Sequence, residues 1–451
     1  MPRSTPTLRS LTLRNFRAFE DVTIALAPIT ILVGPNNAGK SSVLSAIRTL
    51  SQTLNSVDPE TSFLLEELGS YKDAVYKHET KRSIGFNLTF EVDSRITSLD
   101  LTYGYRVQRR EVVLKQFIAS DSREGGPQEL LLRTTYAMPK GKQLIRELRG
   151  TPDIGRAKAS IAFMHFIPRL NAVIIDRLFK KIKPQPANKE AQPVRSMQFA
   201  RIYFELNRSL IRLSHLLLSL QYLGPFRETP SRVYPFAGER PSILGQSGKG
   251  ASDVLMTDYF RRGRKKGQLT SRVRSWLKRA SIAEDIQIDA IGDRHYQVRL
   301  QHPITGELSN ILDVGYGASQ VLPILVAGYD IPENSLLMVE QPEIHLHPKA
   351  QSELGELFAD IYRRNVQCIV ETHSEHLIMR LQTKVALGEI PKEDIVFHYV
   401  DPTATGKRIV TLTLNDKGLF KEKWPSGFFD ERLSEALNLA RAPYILSEKD
   451  K

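Results

Sequence analysis

The sequence predicts an α/β fold in which a mixed sheet is flanked by helices, and three observations carry that expectation. The run Ile29–Val33 (ITILV) is apolar but for one threonine and leads through GPNNAGKSS into text with helical periodicity. A second apolar run, Leu336–Val339, ends in Glu340. A third, VQCIV, leads into ETHSEHLI. Short apolar runs that end in turns and are followed by helices are what strands buried inside such a sheet look like.

Taken in chain order, residues 8–33 alternate apolar and polar and then run continuously apolar, which predicts a hairpin followed by the central strand. SIGFNLTFEV, residues 83–92, reads as a further strand. From about 95 to 220 the text turns basic and is broken by the turn-rich pieces DSREGGPQE, MPKGKQ and KKIKPQPANKEAQPV. It closes on Ile202, Leu206, Leu210, Leu213 and Leu217, spaced as one face of a long amphipathic helix. This region is expected to be a largely helical insertion between two halves of one core. The core resumes at YLGPFRETPSRVYPF, with strand alternation in IQIDAIGDRHYQVRLQHP and a Gly-rich turn and helix over 313–328. Then come the Glu340 strand, a helix from about Pro348 to Arg364, and the strand VQCIVETHS. The expected division is a first core half at 1–94, the basic insertion at 95–221, a second core half at 222–415, and a small helical C-terminal cap at 416–451.

At 451 residues, 41% hydrophobic, 25% charged and with mean hydropathy −0.28, the chain reads as a soluble globular protein of two or three domains. No apolar run approaches the roughly 18 residues that span a bilayer, so no membrane partner is expected. The start MPRSTPTLRSLTLRNF has no apolar signal core, and the single cysteine, Cys368, cannot form an internal disulfide. A cytoplasmic location is the expectation. The formal charge of +13 is concentrated: residues 101–195 carry 19 Lys/Arg against 8 Asp/Glu, and residues 261–280 carry nine basic residues and no acidic one. These two segments are the places where nucleic acid could bind, although a charge run is as often a solvated face.

GPNNAGKS fits G-x-x-x-x-G-K-[ST] with a strand before it and a helix after it. Gly34 and Gly39 let the backbone of Pro35, Asn36, Asn37 and Ala38 wrap a phosphate, and the helix start at Lys40, Ser41 and Ser42 adds its positive end. Lys40 is the expected partner of the β- and γ-phosphates and Ser41 a ligand of Mg²⁺, so ATP with Mg²⁺ is the expected ligand. Glu340 is the expected second hold on the metal. His373 emerges at a strand end, within reach of a γ-phosphate or an attacking water. In VGYGASQVLPIL, Gly315, Gly317 and Ser319 precede an apolar helix, an exposed turn able to meet phosphate from another molecule. His345, His347 and His373 with Glu343 lack a fourth ligand at the usual spacing, so a zinc site is not expected.

These elements, in their chain order and with the N-terminal hairpin before them, resemble the ABC-class ATPases, in the branch that includes RecF, SMC and the OLD (overcoming lysogenization defect) nucleases. LRNFRAFEDVTIAL resembles the N-terminal hairpin of that branch, GPNNAGKSS its Walker A, VGYGASQVLPIL its signature motif, LLMVEQPEIHLHP its Walker B and D-loop, and ETHSEHLI its switch-histidine strand. The resemblance covers about residues 8–94 and 222–400. It implies an ABC-type head that pairs with a second copy, in a dimer or a larger homo-oligomer. Each ATP would then lie between one Walker A and the other copy's turn around Gly315, Gly317 and Ser319. Arg17 corresponds to an arginine beside the Walker site in related heads. YLGPFRETP and WPSGFFD point toward stand-alone OLD-like ATPases of anti-phage defence operons. The acidic clusters of a Toprim nuclease are not found in the sequence, so the effector, a nuclease or toxin, is expected on a separate polypeptide.

The family pattern often has glutamate where this chain has Gln341. A carboxamide orients water but takes no proton at neutral pH, which predicts intact nucleotide binding with slow hydrolysis. Glu343 and His373 are the two residues placed to compensate. The leading expectation is a slowly hydrolysing sensor or scaffold in anti-phage defence; the alternative is a RecF-like repair ATPase that binds DNA through the basic insertion.

Overall fold

The computed structural model describes residues 6–123, 126–137, 142–148, 160–169, 191–236, 238, 240–261, 263, 266–403 and 406–423. Its centre is β3 (Ile29–Val33), every residue of which is buried. Ile29, Ile31 and Val33 face one apolar core, and Leu32 faces the other. The same division holds in β16 (Leu336–Glu340), where Leu337 and Val339 oppose Leu336 and Met338. It recurs in β17 (Gln367–Glu371), where Cys368 and Val370 oppose Ile369. Strands covered on both faces need apolar residues at successive positions, which is why these runs do not alternate.

The six-stranded central sheet has the order β11-β16-β17-β3-β18-β19, with β11 at Gln221–Leu223, β18 at Ile395–Thr403 and β19 at Gly406–Leu412. All its pairings are parallel except the β18–β19 hairpin. On one side pack α1 (Lys40–Leu54) and α2 (Ala191–Leu218). On the other lie α3 (Ala251–Phe260), α4 (Gln268–Arg279), α5 (Tyr316–Asp330), α6 (Pro348–Arg363) and α7 (Glu375–Ala386). A small sheet of β12 (Tyr234–Pro235), β13 (Asp285–Ile291), β14 (His295–Gln301) and β15 (Leu308–Asn310) packs on that second core. This is the expected ABC-type head. Leu206, Leu210, Leu213 and Leu217 of α2 are fully buried, as their spacing predicts.

The insertion departs from the expectation of a largely helical region. β1 (Thr7–Phe16), β2 (Phe19–Ala25) and β4 (Ile84–Val92) continue into β5 (Arg95–Arg106), β6 (Glu111–Arg123), β7 (Glu129–Ala137), β8 (Lys142–Leu148), β9 (Ser160–Met164) and β10 (Ile167–Arg169). Together they make one nine-stranded antiparallel sheet, and α2 is the helix that follows it. The physical reason is a period of two. RITSLDLTYGYR buries its alternate residues Leu99, Leu101 and Tyr103, and DSREGGPQE and MPKGKQ join strands rather than helices. Residue 94 falls in the tight Asp93–Ser94 turn of the β4–β5 hairpin, both residues at positive φ, and the register runs on to Val92↔Arg95. Of the expected C-terminal cap, residues 416–423 form a turn closed by the Leu414↔Phe420 bridge, and 424–451 lie outside the described residues. No described helix is long and apolar enough to cross a membrane.

Candidate active site

Between β3 and α1 the chain makes the loop that begins at Gly34. Gly34 has φ +137, and a Cβ there would stand 2.5 Å from the Val400 carbonyl oxygen on β18. Gly39 has φ +112, with Ala18 and Phe19 at 3.0 and 3.1 Å from such a Cβ. Glycine is therefore dictated at both places by backbone angle and by room. Asn37 lies at φ +62, and its carbonyl accepts a hydrogen bond from Lys407 of β19. Among the described residues no side chain caps the start of α1, which leaves its amides to the loop's contents.

Lys40 is buried, and its ammonium donates to the carbonyls of Gly34 at 3.0 Å and Pro35 at 2.9 Å. Its third partner is Glu371, whose Oε1 lies 3.5 Å away; the Oε2 of the same carboxylate takes the Ser41 hydroxyl, also at 3.5 Å. Burial lowers the Lys40 pKa, with Glu371 opposing, while burial pushes Glu371 up to about 7, with Lys40 opposing. In both partners desolvation outweighs the attraction between them.

Glu340 ends β16 beside Glu371, its register partner at the end of β17. The Tyr222 hydroxyl, on β11, donates to Glu340 Oε1 at 2.6 Å, and the guanidinium of Arg48 on α1 sits 3.7 Å from the Tyr222 ring centre. Arg227 Nη2 donates to the Glu340 carbonyl at 3.0 Å. Gln341, at φ +46, donates its amide N–H to the Glu371 carbonyl at 2.7 Å. Glu343 is half-buried, and desolvation raises its pKa. One of its oxygens accepts from Thr372 Oγ1 at 2.8 Å, the other from the His373 amide at 2.6 Å. The His373 pKa is lowered, by burial first and by Lys40 second, so its imidazole is neutral at pH 7.

The loop from Gly34 to Ser42, Glu340, Gln341, Glu343 and His373 are thus gathered at the ends of β3, β16 and β17. Gly315, Tyr316 and Gly317 line a separate hollow of ≈ 590 Å³ together with His345, His347 and Lys349, and Ser319 is not part of its wall. Gly317 packs so closely that a Cβ would meet the His345 carbonyl oxygen at 2.6 Å, and Ser319 is buried with its hydroxyl bonded to the Tyr316 carbonyl at 2.9 Å. Gly315 and Tyr316 are the exposed members of that turn, and the Tyr316 ring lies 5.8 Å from that of His345. Arg17, at φ +47, donates to Ser45 Oγ at 2.9 Å on α1.

Three contributors had no role in the sequence reading: Glu371, Tyr222 and Arg227. Each lies inside a quoted motif, and the signal available for Glu371 was a second acid closing a second apolar run. The donor set of Ser41, Glu340 and Glu371 is all oxygen, which suits a hard divalent cation such as Mg²⁺.

Two family models match the chain in tandem. One, described as an AAA ATPase domain, matches residues 7–203, and the other, described as an AAA domain, putative AbiEii toxin, Type IV TA system, matches residues 204–380. A stretch of 40 residues is 50% identical to the OLD nuclease of Thermus scotoductus (strain ATCC 700910 / SA-01), and it spans 9% of this chain and 8% of that protein. Among solved structures, the SMC head domain from Thermotoga maritima aligns over 89% of this chain and 98% of its own at 10% identity and TM-score 0.38. An Smc head bound to the C-winged helix domain of ScpA aligns over 90% and 98% at 11% identity and TM-score 0.43. The phosphate loop at the head of a parallel sheet, with Glu340 beside it, defines a P-loop ATPase. The two AAA models together span residues 7–380, and the 40-residue segment makes the chain similar, within that class, to the OLD kind of ABC-type ATPase.

Proposed function

We propose that this chain is a slowly hydrolysing ATP switch that serves as the sensor or scaffold subunit of an anti-phage defence system, holding or activating a separate nuclease or toxin. One observation supports the slow step: Lys40, Ser41 and Glu340 are gathered around the phosphate loop, while the residue after Glu340 is an amide. Ser41 and Glu340 would hold Mg²⁺, which when bound offsets charge on the phosphates. Lys40 meets the β- and γ-phosphates. Gln341 orients water without taking its proton, and the neutral His373 is the other orienting group. Glu343, with both oxygens accepting hydrogen bonds from residues 372 and 373, fixes the place of His373 rather than acting as the base. Gly315, Gly317 and Tyr316 contribute to the nucleotide site of a second copy, so ATP drives dimerisation.

The defence reading is supported by the OLD segment and by the toxin–antitoxin description of one matched family. DNA repair through the basic segments is the alternative. Against it, Arg274, Lys278 and Arg279 of α4 are already engaged by Asp285, Glu284 and Glu353. The test is steady-state ATP turnover together with phage plating on hosts that carry the gene with its flanking genes. Turnover well under the ~1 s⁻¹ low end of ordinary enzymes is expected, abolished in Lys40→Ala along with protection from phage. Protection that survives Lys40→Ala would remove the switch from the reading. Sensitivity to DNA damage in place of phage would favour repair.

A further inference from the structure

Among the described residues, Glu371 is the one carboxylate that touches both functional groups of the phosphate loop. Its oxygens divide between them, Oε1 at 3.5 Å from the Lys40 ammonium and Oε2 at 3.5 Å from the Ser41 hydroxyl. Lys40's other partners are the carbonyls of Gly34 and Pro35, so a phosphate that engages its ammonium competes with acceptors only. The backbone around Glu371 is fixed. Its carbonyl accepts the Gln341 N–H at 2.7 Å, and the next residue, Thr372, donates its N–H to Leu32 at 3.0 Å. Only the side chain is left to move.

When Lys40 turns to a phosphate, Glu371 loses its cation while it stays buried beside Glu340, its register partner. Two adjacent buried carboxylates without a counter-ion are strongly unfavourable, and a divalent cation placed against Ser41 removes the conflict. From this, and resting on the nucleotide reading above, we propose that Glu371 makes the loop selective for cation-loaded nucleotide. It competes with phosphate for Lys40 and Ser41, and it would serve as a further oxygen neighbour of a cation held beside Ser41. The penalty falls on ATP that arrives without its metal.

The experiment is ATP affinity of the full chain by titration calorimetry, in EDTA and in Mg²⁺, for the wild type, Glu371→Gln and Glu371→Ala. The quantity read is the ratio of Kd without Mg²⁺ to Kd with Mg²⁺. Glu371→Gln is expected to bind metal-free ATP more tightly than wild type and to lower the ratio by about five- to tenfold, the scale of ordinary coupling between two ligands. Circular dichroism of the nucleotide-free variants controls for folding, and Glu371→Gln preserves shape if the alanine variant does not fold. A ratio within about twofold of wild type, or equal weakening in both buffers, would overturn the proposal while leaving the nucleotide reading intact. Absence of ATP binding to wild type in both buffers would overturn both.

Discussion

Arg227 donates from Nη2 to the main-chain oxygen of Glu340 at 3.0 Å, while its Nε and Nη1 are buried with no hydrogen-bond partner among the described residues. Burial brings its pKa down to about 10, opposed by the charges of Tyr222, Glu340 and Glu343, so it remains a cation at neutral pH. A cation with three of its five N–H donors buried and idle is a cost to folding that packed hydrocarbon of similar size avoids. Arg227→Met is therefore expected to leave Tm unchanged or to raise it. Turnover should fall at least about tenfold, because the corner carrying Glu340 loses its tether. Melting curves and ATP turnover of one preparation check both halves, and a drop of several degrees would show that the guanidinium stabilises the head.

Tyr222 closes the same corner from the carboxylate side. Its hydroxyl bonds Glu340 at 2.6 Å, and its ring carries the Arg48 guanidinium at 3.7 Å. Tyr222→Phe keeps the ring contact and deletes the bond to the carboxylate, which is worth about 1.5–3 kcal/mol for a hydrogen bond to a charged group. Denaturant unfolding should show a loss within that range.

Gln341→Glu restores a proton acceptor at the position the family pattern reserves for one. Turnover is expected to rise by about tenfold or more, the low end of general-base effects being ~10². The variant also crowds a further carboxylate against Glu340, Glu343 and Glu371, so the nucleotide-free protein should melt at lower temperature than wild type. Unchanged turnover would mean that proton transfer does not limit the reaction.

His398 supplies a pH test on β18, where it pairs with Leu32 of β3. It is fully buried in β18, with Nε2 against the Ala25 carbonyl at 2.6 Å and Nδ1 against Thr411 Oγ1 at 3.1 Å. Burial pushes its pKa down to about 4 from an ordinary 6.5. The unfolded chain therefore binds this proton first, and stability falls as pH drops from about 6.5 to 4, by on the order of 3 kcal/mol over the window. Glu371, raised to about 7, works in the opposite sense: its folded form holds a proton that the unfolded chain releases, so its contribution declines as pH rises from about 4.5 to 7. His398→Asn should flatten the acid limb of a stability–pH curve, and Glu371→Gln the limb approaching neutrality.

The parts legible in the sequence were those written in contiguous residues. The phosphate loop, the apolar run before Glu340 and the leucine face of α2 each follow from local spacing, and each stands where that spacing puts it. The basic insertion misled because turn-rich breaks and lysines overshadowed its alternation, which becomes clear once Leu99, Leu101 and Tyr103 are seen on one buried face. Tyr222 and Glu371 escaped for another reason. Their partners lie 118 and 330 residues away, and only the strand order β11-β16-β17-β3 brings them together.

That strand order sets a schedule for synthesis. β3 is made early, yet both its neighbours, β17 and β18, emerge from the ribosome more than 300 residues later, and Lys407, which grips the loop at Asn37, lies 370 residues downstream. Throughout translation of the insertion the phosphate loop is a motif without a pocket. Such non-local pairing folds slowly, and only once its distant partners exist. A truncated product that stops short of β19 would carry the nucleotide signature in its sequence without the strand whose Lys407 holds the loop at Asn37.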